Sequence, residues 1–365
     1  MNRRPSLPTV PGRGTPLDPP NRFLPLHVDL DPEEAPEGSL RTQYLDDRPR
    51  TIISRNQSPD VGFEVSLNPY RGCEHGCIYC YARPSHEYLG LSAGLDFERY
   101  IFVRREAPDL LRRELSHPSW SPDAMALSGV TDPYQPIEAT LKITRECLKV
   151  LAETRHPVSV VTKNRMVIRD LDLLGELAQA EAAQVTVSVT TLDRTLQKVM
   201  EPRTATPTGR LDAIRAVAAA GVPVGVNVAP VIPGLTDHEL PAILEAAREA
   251  GATSATYILV RLPHSVAPLF QDWLGRHFPQ RKEKVLARIR EMRGGRLNDP
   301  RFGSRMKGEG VFAQQLRRLF RVTCRRLGLQ EKRRRLSTES FRPPAARKSP
   351  HPGESTSGGQ LDLFA

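Results

Sequence analysis

From residue 62 to residue 260 the chain repeats one pattern: a short apolar run rich in β-branched residues, then a longer amphipathic stretch. The runs lie at 62–67, 124–128, 158–162, 185–189, 222–228 and 255–260. Residues 137–154 carry apolar side chains at Ile137, Leu141, Leu148 and Leu151, the spacing of a helix with one buried face. Residues 171–181, 208–220 and 238–250 read as helices too, the last two stopped by Gly221 and Gly251. Strands that are apolar throughout are buried on both faces, which predicts a parallel sheet covered by helices. Six such units predict a partial (β/α)6 TIM-like barrel, with the working residues in the loops where strands end.

One of those loops carries three of the five cysteines within eight residues, Cys73-Glu-His-Gly-Cys77-Ile-Tyr-Cys80. This C-x3-C-x2-C spacing is neither the C-x-x-C-H of haem attachment nor the lone C-x-x-C of a redox dithiol. Ferredoxin loops use other spacings and supply a fourth cysteine. Three thiolates on one short loop suit three corners of an iron–sulfur cube and leave the fourth iron open. Cys73, Cys77 and Cys80 are therefore the expected metal ligands. A zinc knuckle completed by His75 or His86 is the alternative. An odd cysteine count with three clustered is no disulfide framework, and a reducing cytoplasm is the expected compartment. The first twenty residues lack the apolar run of a secretory signal.

The net charge of +10 is unevenly spread: residues 276–335 hold twenty Lys/Arg against five Asp/Glu, leaving the remainder near −5. A basic, arginine-rich C-terminal region predicts a polyanionic partner, nucleic acid in the first place. Four regions are expected. Residues 1–60, rich in Pro, Arg and Asp, read as an extended and partly disordered segment, with order beginning near Gly62. Residues 61–265 form the barrel. Residues 266–332 form a basic helical extension, with helices at 286–292 and 311–327. Residues 333–365 read as a disordered tail.

The cysteine triad at the end of a first strand, followed by five more β/α units, resembles the radical S-adenosylmethionine (SAM) superfamily. Several strings are similar to its spore photoproduct lyase group, in a bacterial branch with a long N-terminal extension. These are Asn68-Pro-Tyr-Arg-Gly-Cys73, Cys80-Tyr-Ala-Arg83, Gly129-Val-Thr-Asp-Pro-Tyr-Gln-Pro136, Val161-Thr-Lys163 and Pro230-Val-Ile-Pro-Gly234. The resemblance implies a [4Fe–4S] cluster whose open iron binds SAM, an electron donor such as a flavodoxin or ferredoxin, and cleavage of SAM to a 5′-deoxyadenosyl radical. It also implies roles by position. Tyr79 lies beside the adenine, and Ser128 and Gly129 meet the SAM amino group. Lys163 pairs with the SAM carboxylate, Ser188 bonds the carboxylate or ribose, and Val231, Ile232, Pro233 and Gly234 line the adenine. The lyase returns a hydrogen atom from a cysteine; Cys147 and Cys324 read as core residues, so a donor thiol is not evident here. Asp132 and Glu138 read as helix caps.

Gln360, Leu361, Asp362, Leu363 and Phe364 resemble the peptide with which bacterial repair factors bind the sliding clamp. The expected activity is thus a radical SAM reaction on DNA, as in lesion repair by a lyase. The alternatives are a radical SAM enzyme modifying RNA or protein, and a zinc-bearing nucleic-acid adaptor without catalysis.

Overall fold

The apolar runs pair side by side, as burial on both faces requires. The structure, a computed structural model, describes residues 10–25, 41–331 and 334–344. Along the described chain the strands are β1 (Gln43–Asp46), β2 (Ile53–Arg55), β3 (Val65–Leu67), β4 (Tyr70–Arg71), β5 (Tyr100–Val103), β6 (Met125–Leu127), β7 (Val158–Thr162), β8 (Ala183–Ser188), β9 (Val224–Val231) and β10 (Ser254–Leu259). The main sheet has the order β10-β9-β8-β7-β6-β3-β2. Its six strands from β3 to β10 run parallel, and β2 adds to the edge antiparallel. The sheet does not close on itself, so the architecture is the expected partial barrel. β1, β5 and β4 form a separate small sheet.

Every residue of β9 is buried, as befits a strand flanked on both sides by parallel neighbours. The covering helices start where the chain supplies caps. Thr206 Oγ1 accepts from Gly209 N at 3.2 Å, with Pro207 in the first turn of the helix Pro207–Ala219. Asp193 accepts from Thr195 N and Leu196 N at the head of Arg194–Met200.

Three expectations need correction. The single helix expected over 137–154 is two, Glu138–Leu141 and Ile143–Thr154, with Lys142 between them at a φ of 56°. The buried Glu138 carboxylate accepts from Thr144 N at 3.0 Å and so caps the second piece from within the first. A further helix, Val266–His277, buries Phe270, Trp273 and Leu274 beside the cysteine loop's core. Order does not begin at Gly62. Residues 10–25 lie along the cysteine loop, and β1 and β2 follow. The C-terminal helix Gly310–Leu327 packs its apolar side on the barrel edge, where Phe320 meets Tyr257 with ring centroids 4.8 Å apart. The expected C-terminal tail beyond residue 344 lies outside the described residues, and so do Gln360 to Phe364.

Candidate active site

The cysteine loop leaves β4 through Gly72, at a φ of 78°, where an added Cβ would sit 2.8 Å from the Tyr100 carbonyl oxygen. Backbone bonds then fix its path. Cys73 N donates to Phe97 O at 3.0 Å, Ile78 N to Met200 O at 3.1 Å, and Cys80 N to Cys77 O at 3.2 Å. Below the loop lies a fully buried ion pair, Arg83 with Glu98. Arg83 Nε donates to Cys77 O at 3.1 Å and Nη1 to Gly94 O at 2.7 Å, so the guanidinium ties the loop to the segment that leads into Glu98. The Glu98 carboxylate also accepts from Gly14 N at 3.0 Å, and Arg13 Nη1 donates to Glu98 O at 2.6 Å. Residues 10–25 thus form a strap seated on the loop. The fit is close: a Cβ on Gly14 would lie 1.8 Å from Gly76 O.

All three loop cysteines are free thiols. Burial pushes each of them up, and Cys77 and Cys80 add to this at Cys73 by repulsion. Three mutually repelling buried thiols become thiolates only when a cationic centre offsets them. Soft sulfur donors and no fourth cysteine on the loop match a [4Fe–4S] cluster with one open iron. Cys147 and Cys324 lie in the main core instead. Among the described residues no three His, Cys, Asp or Glu side chains are grouped to hold a single metal ion. The two histidines of the zinc alternative are engaged elsewhere. His86 Nε2 meets Tyr100 O at 2.9 Å, and His75, lowered to about 4 by burial, meets Asn164 Nδ2 at 3.2 Å and Asp132.

Beside the loop, the end of β6 is pinned by a side chain to which the sequence reading gave no role. Asn68 Oδ1 accepts three donors: Ser128 Oγ at 2.6 Å, Gly129 N at 3.0 Å and Val130 N at 3.0 Å. Gly129 O accepts from Tyr81 Oη at 2.7 Å, which ties this turn to the residue after Cys80. Asp132 caps no helix: it accepts from Thr162 Oγ1 and Lys163 N, both at 2.7 Å, and braces β6's loop against the end of β7.

Register places the remaining candidates. Thr162 pairs with Val187, so Lys163 lies next to Ser188; Ser188 pairs with Asn227, and Asn227 with Thr256. Lys163, Ser188, Asn227 and Thr256 form one polar row across the sheet, from the ends of β7 and β8 to the middle of β9 and β10. The Lys163 ammonium lies 5.9 Å from the centre of the Tyr79 ring and has no carboxylate partner among the described residues. Its charge eases both Cys77 and Cys80 toward thiolate. Ser188 is buried, and its carbonyl accepts from Arg210 Nη1 at 3.1 Å. Tyr79 is buried too, with its hydroxyl 3.4 Å from Thr190 Oγ1. Thr190 in turn donates to Glu201, which pairs with Arg210 in the interior. Burial pushes the Glu201 carboxyl up and Arg210 opposes it.

Val231 and Ile232 are fully buried at the end of β9, Ile232 in the same cluster as Cys77 and Tyr79. Gly234 follows at a φ of 77°, its N–H on Asp237 Oδ1 at 2.8 Å. The structure therefore brings the cysteines, Tyr79, Lys163 and Ile232 to one end of the barrel, with Ser128, Gly129 and Ser188 at the neighbouring strand ends. The roles of Asn68 and Asp132 were missed because their partners lie 60 and 30 residues away in sequence, and Glu201 and Arg210 because no helix or strand period relates them.

Comparison with known proteins agrees with this geometry. An uncharacterized protein of Mycobacterium bovis is 39% identical over 232 residues, covering 63% of this chain and 67% of its own. One of Methanocaldococcus jannaschii is 29% identical over 184 residues, covering 50% of this chain and 66% of its own. Among solved structures, spore photoproduct lyase complexed with dinucleoside spore photoproduct superposes with a TM-score of 0.56 at 18% identity, covering 80% of this chain and 82% of that one. The model of the radical SAM superfamily matches residues 67–247, from the end of β3 through the helix after β9. That stretch contains the cysteine loop and most of the barrel that positions it, and the chain belongs to the radical SAM superfamily, which binds a [4Fe–4S] cluster and SAM.

Proposed function

We propose that this chain is a radical SAM enzyme that acts on DNA in lesion repair, by chemistry of the spore photoproduct lyase kind. The observation that carries the reading is the likeness of fold to that lyase over 80% of the chain, with the three-cysteine loop at the mouth of the barrel. The strongly basic C-terminal region supports a nucleic-acid substrate.

Cys73, Cys77 and Cys80 would hold the cluster, which when bound supplies the electron that cleaves SAM. The protein's task is to place and enclose. Asn68 presents the Gly129 turn. Lys163, a cation with no carboxylate partner among the described residues, would pair with the SAM carboxylate, with Ser188 beside it. Tyr79 and the segment Val231, Ile232, Pro233 and Gly234 offer an apolar wall for the adenine. The hydrogen donor of the lyase has no counterpart in Cys147 or Cys324, which are both buried in the core, so the chemistry after radical formation is specific to this chain's own lesion. Gln360, Leu361, Asp362, Leu363 and Phe364 would dock in the sliding clamp and bring the enzyme to DNA, and a flavodoxin or ferredoxin would supply the electron.

The test is the anaerobically reconstituted protein with SAM, a reductant and damaged DNA. Turnover should yield 5′-deoxyadenosine and altered nucleosides by mass spectrometry. Product from RNA or protein but not DNA would overturn the substrate. A synthetic peptide of residues 355–365 that fails to bind clamp would remove the recruitment step.

A further inference from the structure

One charged side chain at the barrel mouth has no visible purpose within the protein. Arg261 follows β10, at the same end of the barrel as the cysteine loop. Its guanidinium carbon lies 5.5 Å from the centre of the Tyr81 ring, and Tyr81 directly follows Cys80. Nη1 reaches only a thioether, Met306 Sδ at 3.8 Å, and Nε is buried with no partner. No carboxylate pairs with it among the described residues.

Its neighbours deepen the imbalance. Arg293, almost fully buried, spends its donors on Val260 O and Arg305 O, both at 2.7 Å. Arg305 is neutralised by Asp60. Burial lowers the pKa of Arg261 and of Arg293; repulsion from Arg305 adds to the first, and repulsion from Arg261 to the second. A guanidinium with four unused donors, half withdrawn from water among other cations, is unfavourable until an anion meets it. The Tyr81 ring that it faces is 52% exposed, and Arg305, whose charge also acts on Arg261, lies 4.6 Å from the centre of the Phe302 ring, itself 60% exposed. A cation beside an exposed aromatic ring is an arrangement that holds a nucleotide unit, with the phosphate on the cation and a base on the ring.

We propose that Arg261 is a docking residue for one backbone phosphate of the nucleic-acid substrate, setting a nucleotide at the barrel mouth beside the cysteine loop. This rests on the nucleic-acid reading above. A planar five-donor fork suits a phosphodiester better than a lysine would.

The test uses the cluster-loaded full chain and a mixed-sequence single-stranded oligodeoxynucleotide, with affinity measured across a salt series. Arg261→Gln should weaken binding about tenfold and lower the salt slope by about one unit, while SAM affinity and the cluster's absorption stay at wild-type values. Arg261→Lys should recover part of the loss. A methylphosphonate scan should find one position at which wild type and Arg261→Gln bind alike. Wild-type binding with no change in Arg261→Gln would overturn the phosphate site alone. A loss of SAM affinity instead would assign Arg261 to the cofactor. A wild-type protein that binds no oligonucleotide would overturn the nucleic-acid reading and this site with it.

Discussion

The cysteine loop and the C-terminal helix Gly310–Leu327 are both rich in charge, and they use it in opposite ways. Under the loop, Arg13, Arg83 and Glu98 are buried and matched to one another or to carbonyls. On the helix, Arg317, Arg318, Arg321 and Arg325 share one side with Gln314 and Val322. Arg321 reaches Glu331 only at 3.8 Å, and Arg318 and Arg325 have no ion pair among the described residues. Buried, paired charge fixes a geometry, because breaking it leaves a bare ion in a low dielectric. Exposed, unpaired arginine fixes nothing inside the fold but sets the potential that a polyanion meets.

The contrast can be broken from the loop outward. Cys77→Ala should have the largest effect. The wild type should carry about four irons per chain after anaerobic reconstitution, and the variant should lose the cubane absorption and all SAM cleavage. Next comes Glu98→Gln, which leaves Arg83 half-paired under the loop. The expected cost is about 3–5 kcal/mol in unfolding free energy, with reduced iron retention. A variant of wild-type stability would show that the buried pair is not what holds the loop.

A third, intermediate effect is read by pH. His156 is buried between Trp120 and Phe341, and burial lowers it to about 4. The unfolded chain takes up a proton near 6.5 that the folded chain refuses, so this residue's contribution falls as pH drops from 6.5 toward 4. From pH 7 to pH 5 the loss is on the order of 2 kcal/mol. His75 and His86 titrate in the same window, so the measure is the difference between wild type and His156→Gln in denaturant midpoints at the two pH values. The smallest effect belongs to the helix. Arg318→Gln with Arg325→Gln should leave melting temperature and SAM cleavage unchanged and weaken oligonucleotide binding at low salt, a difference that vanishes as salt rises. Loss of stability there would erase the distinction between the two regions.

The same contrast explains what was legible in the sequence. Strands β6 to β10 were readable because burial on both faces demands continuous apolar runs such as Val158 to Thr162. The cysteine triad was readable because its ligands are local. Boundaries moved where a motif overlapped a strand: β9 continues through Pro230 to Val231, beyond the apolar run at 222–228. Arg83 and Glu98 are 15 residues apart, and Gly14 reaches Glu98 across 84; no periodicity records such pairs. The strap escaped notice for another reason. It is held by backbone contacts at glycine, by hydrogen bonds such as Asn21 Nδ2 to Glu87 O at 2.8 Å and by the Arg22–Glu87 ion pair, with Leu17 adding a lone apolar contact and no periodic apolar face.

That strap imposes an order on maturation. Residues 13 and 14 leave the ribosome long before Gly76 and Glu98 exist for them to rest on, so they wait while the segment that follows is made. Once seated, they meet Glu98 across 84 residues of chain, so the loop reaches its final packing only after everything from Gly14 to Glu98 has been made.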